Sequence, residues 1–185
     1  FYKKIESIFI KLNKKIYIKA SYFDTISLMK LYFKIRQFPI LFGPEIDLRF
    51  DNKFDKKIRS EINFHNSSSE FKNILNQLIT DQIPLSYIEN FSDILLFNKK
   101  NYPKKIKKIL TANSYAFDDP FKIWTANKTQ EGSELIISQH GGNIGSAFLA
   151  HYEDHQINIS DTYLSWGWNS VNVKNIVPMP ASKLV

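Results

Sequence analysis

The heptapeptide Gln139-His140-Gly141-Gly142-Asn143-Ile144-Gly145 places three of the chain's six glycines within five positions, directly after a histidine. An imidazole titrates near neutrality and can take a proton from a hydroxyl. Glycines beside it carry no Cβ, so a ligand can approach the backbone amides closely. Where such a turn feeds a helix, the free N–H groups and the positive dipole end attract an anion or a sugar hydroxyl. The same sequence also suits a tight strand-to-helix connection whose histidine is hydrogen-bonded and inert. His140 is thus the candidate general base, and Gln139, Gly141, Gly142, Asn143 and Gly145 are candidate substrate-binding positions. The turn is not a P-loop, because no Lys-Ser or Lys-Thr follows it, and the G-x-G-x-x-G spacing of dinucleotide sites fails.

Other constellations are weaker. His151 and His155 stand at i, i+4 with Glu153 and Asp154 between them. That spacing can hold zinc, but the H-E-x-x-H order is absent and a third ligand would have to come from elsewhere, so no metal is expected. Asn113-Ser114-Tyr115-Ala116-Phe117-Asp118-Asp119 is a second loop between a strand and a helix. Asn113 and Ser114 can bind hydroxyls, while Phe117 and Trp124 could stack on a ring or, for Trp124, fill the core. Trp168, after Trp166 and Gly167, is a further candidate for substrate contact. No G-x-S-x-G elbow occurs, and with no cysteine a thiolate metal site, a cysteine nucleophile and a disulfide scaffold are excluded together.

Residues of these types act only if the fold holds them together. Lys15 to Ala20 alternates with period two and predicts a strand. From Asp24, the residues Leu28, Leu31, Tyr32 and Ile35 predict a helix that ends before Pro39. Phe50, Phe54, Ile58 and Ile62 suggest a second, charged helix. Ser67 with Glu70 fits a capping box ahead of the apolar face Phe71, Ile74, Leu75, Leu78 and Ile79. Another helix is expected after Pro84. Ile106 to Ala112 reads as a strand; Asp118-Asp119-Pro120 opens a helix that Gly132 closes. Glu134 to Ser138 is a short buried strand, Ile144, Phe148, Tyr152 and Ile159 form a helical stripe, and Thr162 to Trp166 is the next strand. Strand–helix alternation over 106–166 predicts βαβ units, hence an α/β fold with a Rossmann-like parallel sheet and flanking helices. Ligands of such sheets bind at the carboxyl ends of the strands, which is where the His140 turn falls.

Composition narrows the partners. The chain of 185 residues is 43% hydrophobic and carries a net charge of +7, so it can build a core and is not a disordered or low-complexity tract. Residues 1–110 hold 21 Lys/Arg against 11 Asp/Glu, whereas residues 111–185 hold 4 against 7. Lysine outnumbers arginine 22 to 3, which argues against base readout, and no nucleic-acid partner is expected. The basic half suits peripheral contact with an anionic membrane. Lysines interrupt every apolar run before it reaches the length of a membrane span. The start at Phe1 and the end after Val177-Pro178-Met179-Pro180 suggest a fragment of a longer protein. One domain is expected over 1–177, with 178–185 opening an interdomain linker and a second domain missing.

In order along the chain, Ile83 to Phe91, Phe121 to Ala126, Gln139 to Gly145, His151 to His155, Asp161-Thr162-Tyr163 and Trp166-Gly167-Trp168 resemble a family of transferases from bacterial surface-carbohydrate loci. That family is similar to two-domain GT-B glycosyltransferases, and its Gln-His-Gly-Gly turn is similar to the His-Gly turn of capsule and teichoic-acid polymerases. Two departures stand out. Ile144 occupies a position where an aromatic residue is common, and Tyr152 separates His151 from Glu153.

The resemblance implies the acceptor-side, N-terminal half of a GT-B-like enzyme. It would move a sugar from a nucleotide donor to a surface polysaccharide or glycolipid acceptor, without a bound cofactor, and would be inactive as this piece alone. The implied location is cytoplasmic, in places peripheral at the inner face of the plasma membrane. A non-catalytic carbohydrate- or anionic-membrane-binding module is the competing reading.

Overall fold

Five short runs rich in β-branched and aromatic residues supply the strands of the computed structural model, which describes residues 2–44, 53–62, 69–141, 143–150 and 152–181. They are β1 (Ile16–Lys19), β2 (Lys108–Thr111), β3 (Glu134–Ser138), β4 (Thr162–Trp166) and β5 (Ile176–Met179). All neighbouring pairs are parallel, and the strands lie in chain order β1-β2-β3-β4-β5. This is an α/β architecture with an all-parallel sheet flanked by helices, consistent with a Rossmann-like fold. The predicted strands at 15–20, 106–112, 134–138 and 162–166 are all present. β5 was not foreseen, because Pro178 within it argues against a strand.

Chain order has a consequence for the layers. Right-handed crossovers between consecutive neighbours put the connecting helices on one face of the sheet. The register places Tyr17, Ile109, Leu135, Ile137 and Tyr163 on a single face, and each is buried. Tyr102, Phe121 and Trp124 pack on Tyr17 there, with ring centroids 5.7, 6.5 and 5.0 Å away. On the opposite face Ile16, Ile136, Leu164 and Trp166 are only half-buried and Val177 is exposed. The order contains no reversal, so these five strands hold no topological switch point, and the carboxyl-end rule alone locates a site.

The chain divides into two compact units, residues 46–97 and the remainder. The sheet-bearing unit begins with α1 (Tyr2–Leu12), whose buried Glu6 accepts from the Leu41 and Phe42 amides at 2.5 and 2.9 Å. No helix was foreseen there, since its lysines disguise the apolar face. α2 (Thr25–Lys34) starts where predicted, capped by Asp24, whose carboxylate accepts from the Ile26 and Ser27 amides.

After α2 the chain returns along β1. The Gln37 amide accepts from Ile16 N at 2.8 Å and donates to Ile16 O at 3.1 Å. Asn13 treats Phe38 in the same way, donating to its carbonyl at 2.7 Å and accepting from its N–H at 3.0 Å. These two amides therefore mimic the pairing of another strand. α6 (Ser114–Phe117) and α7 (Asp119–Gln130) follow β2; Asp118 caps α7 through Phe121 N, Pro120 sits in its first turn, and Gly132 takes φ +94° just beyond its end.

The other unit holds α3 (Lys56–Ser60), α4 (Glu70–Gln82) and the start of α5 (Phe91–Asn101). Its centre is the buried pair Arg59–Glu89, in which the guanidinium holds both carboxylate oxygens and pushes the Glu89 carboxyl down to about 2. Arg59 also donates to Thr80 O and lies over the Phe54 ring. The charged helix expected around Phe50 to Ile62 is therefore shorter than its pattern; Phe50 and the capping residue Ser67 lie outside the described residues. α4 instead has Ser69 at its N-cap, with no side-chain capping bond.

Candidate functional site

Three consecutive strands deliver their carboxyl ends to one place. β1 runs into Ala20-Ser21-Tyr22, β2 into Asn113, and β3 into Gln139-His140. The His140 ring stacks against Tyr22, centroids 6.5 Å apart and planes at 17°. Asn113 Nδ2 donates to Tyr22 Oη at 2.7 Å. Tyr22 thereby joins two of the residues singled out from sequence, His140 and Asn113. The sequence reading missed it, although the carboxyl-end rule applied to β1 would have pointed to it.

The backbone at this junction is strained. Ala20 and Tyr22 adopt φ of +51° and +61° without being glycine. Left-handed conformations cost an L-residue roughly 1–2 kcal/mol, and such outliers collect at functional sites. His140 itself is half-buried, its Nδ1 is enclosed without a hydrogen-bond partner, and burial pulls its pKa below the ordinary histidine value. The ring is therefore neutral at physiological pH, the state in which an imidazole accepts a proton.

The Gly-rich turn itself does not enter a helix. Residues 143–150 form turns and bends, and α8 (Glu153–Ile159) begins only afterwards. Gly141 and Gly145 take φ of +134° and +77°, values outside the helical region. The Gly145 N–H donates to Glu153 Oε2 at 2.7 Å rather than to a carbonyl of a preceding turn. Among the described residues, the turn is not itself the first turn of a helix. Glu153 acts instead as its anchor, and Phe148 of the expected stripe stands in solvent, as does its neighbour Leu149.

Gln139 holds this turn from beneath. Its amide donates to Ile144 O at 3.0 Å and accepts from Trp166 N and Trp168 Nε1 at 2.9 and 2.8 Å. Trp168 is half-buried, tilted against Tyr163 with centroids 6.0 Å apart, and occupies the space a Cβ on Gly145 would need. Gln139 and Trp168 thus brace the loop that carries His140.

Asn143 is exposed, with its carbonyl accepting from Ser146 and Ala147. Ser114 is buried, its N–H donating to Thr111 Oγ1 at 3.0 Å. Trp124 is core, donating to Pro103 O, while Phe117 is exposed. His155 is exposed and tilted against Tyr115, whose phenol is pushed up to about 12, first by burial and then by Tyr152. Gly142 and His151 lie outside the described residues. Among the described residues there is no group of three side chains able to hold a metal ion.

The model of the LIC12162 family transferase matches residues 1–185, the whole sequence. The chain belongs to that family. Searches of curated proteins and of solved structures return no match. As a member of the LIC12162 transferase family, the chain serves a reaction that needs a donor and an acceptor. In this LIC12162 family member the half-buried His140 imidazole thus lies beside Tyr22, which accepts a hydrogen bond from Asn113. Among the described residues no helix is long and apolar enough to cross a membrane.

Proposed function

We propose that this transferase moves a sugar from a nucleotide-linked donor to a hydroxyl of a surface polysaccharide or glycolipid acceptor. In this reading the chain is the acceptor-side half of a GT-B-like protein. The acceptor oxygen bonds to the anomeric carbon of the donor sugar while the bond from that carbon to the nucleoside diphosphate breaks. The proton released by the acceptor passes to His140. Burial keeps His140 neutral and ready for it, and Tyr22 with Asn113 orients ring and acceptor. A second domain would supply the contacts to the nucleotide.

The observation that carries the reading is the meeting of a neutral imidazole with Tyr22 and Asn113 at three adjacent strand ends. Lys14, Lys15, Lys104, Lys105 and Lys107 precede β1 and β2, at the amino edge of the sheet. Peripheral contact with an anionic membrane would use that edge, with the His140 rim turned away.

The test is turnover of the intact protein over a panel of nucleotide sugars. General-base catalysis contributes roughly 10²–10⁴-fold, so His140→Ala should lower kcat by at least about 100-fold while Tm moves little. Wild-type turnover in this variant would remove His140 from the mechanism.

A further inference from the structure

Charge is sorted along the strands of the sheet. Of the chain's 25 lysines and arginines, none lies in residues 20–24, 112–121, 139–152 or 167–173. Those four segments leave the carboxyl ends of β1, β2, β3 and β4, on the rim that carries His140. Two lysines border them, Lys19 at the end of β1 and Lys122 near the start of α7, and both are already matched. Lys19 Nζ donates to Asp118 Oδ2 and to Tyr102 Oη, and Lys122 pairs with Asp119 at 2.6 Å. Most carboxylates of the rim are matched from within as well. Asp24 caps α2, Asp118 also caps α7 through Phe121 N, and Glu153 accepts from the Gly145 N–H. Beside the neutral His140 the surface offers the amides of Asn113 and Asn143 and the exposed rings of Tyr22, Phe117 and Phe148.

We infer that the acceptor brought to His140 is an uncharged saccharide, and that this rim turns away sugars bearing phosphate or carboxylate groups. An uncharged saccharide asks of the surface only what is there. Its hydroxyls meet neutral amides, and the C–H faces of its rings meet exposed aromatic rings. An anionic sugar would give up hydration beside Asp118, Asp119, Glu153 and Asp154 with no cation to receive it, which costs free energy. An amino sugar gains little, because Asp118 and Asp119 already hold lysines and Glu153 an amide. The same sorting keeps the donor's diphosphate off these four segments and leaves it to cations of a second domain. The inference rests on the sugar-transfer reading, since it names the class of the acceptor.

The experiment is an array of immobilised glycans probed with the intact protein. It sets uncharged oligosaccharides beside chains bearing uronate, phosphate or sialic acid groups and beside chitosan oligomers. Uncharged glycans should be retained, with acidic ones bound about tenfold more weakly or not at all. Asn113→Ala removes one hydrogen-bonding amide and should weaken the uncharged set about three- to tenfold. Leu149→Lys places a cation on the loop that carries His140, and Leu149 stands in solvent, so the variant folds. It should raise the binding of acidic glycans about three- to tenfold at low salt and lose that gain near about 0.5 M salt. Ile8→Lys, an exposed change on α1, adds the same charge elsewhere and should leave the preference unaltered. Retention of acidic glycans by the parent, retention of no glycan, or equal effects of Leu149→Lys and Ile8→Lys would overturn the inference. Failure of the broader reading looks different. Binding of uncharged glycans by a protein that transfers no sugar refutes sugar transfer and retains the preference, whereas transfer onto an acidic acceptor refutes the preference alone.

Discussion

Replacing Gln139 by leucine tests whether the residue before the candidate base braces the loop. The substitution keeps most of the volume and deletes three hydrogen bonds, to Ile144 O, Trp166 N and Trp168 Nε1. Each such bond contributes about 1 kcal/mol net, and a buried group left unmatched costs about 1–3 kcal/mol. Gln139 is 3% exposed, so water cannot replace its amide, although the half-buried Trp168 can recover part of its loss. The expected destabilisation is about 3 kcal/mol. For a chain of this size each kcal/mol shifts Tm by roughly 2–4 °C, which gives a fall of roughly 6–12 °C. Tryptophan fluorescence during heating reads the right region, because Trp124, Trp166 and Trp168 all lie in the sheet-bearing unit. A cycle with Trp168→Phe should return a coupling of about 1 kcal/mol, since both changes remove the same bond. A Tm within 2 °C of the parent (roughly 1 kcal/mol or less) together with no coupling would refute the bracing role.

Gly145→Ala should destabilise by about 2–4 kcal/mol in urea unfolding, because it forces a left-handed φ on alanine and drives a Cβ into the Trp168 indole. His140 has a pKa lowered in the folded state, so the unfolded chain binds more protons below its own value near 6.5. Its contribution to stability is therefore present above that pH and falls as the pH drops toward the folded value. His140→Gln should flatten this part of the stability curve measured by thermal melts from pH 5 to 8. Turnover should likewise lose its acidic limb below pH 6.5 rather than above it. Gln37→Leu should free Ile16 N and O at the edge of β1, lower Tm by several degrees, and raise concentration-dependent scattering.

Local chemistry made most of the sheet legible. The alternation Lys15 to Ala20, the Asp118-Pro120 start and the Gly132 stop each follow from short-range sterics or capping, and the structure shows them where the sequence put them. The helix after the Gly-rich turn failed because a 3.6-residue stripe says nothing about a distant carboxylate. Glu153 claims the Gly145 amide, and two positive-φ glycines then keep the chain out of the helical region. Tyr22 was illegible for a related reason, since its value lies in contacts to residues more than 90 positions away. β5 exists because Pro178 can sit in an edge strand with its missing N–H directed away from β4. The alternation of the ladder from the Tyr163 N–H···O Asn175 bond places it so.

That placement and the Gln37 amide have a joint outcome for the outer margins of the sheet. At one margin a side chain already occupies the donor and acceptor of Ile16; at the other, Pro178 offers no donor. Neither border invites the lateral templating by which exposed parallel sheets recruit a foreign strand. What remains open beside these borders is the sheet face that bears the half-buried Leu164 and the exposed Val177.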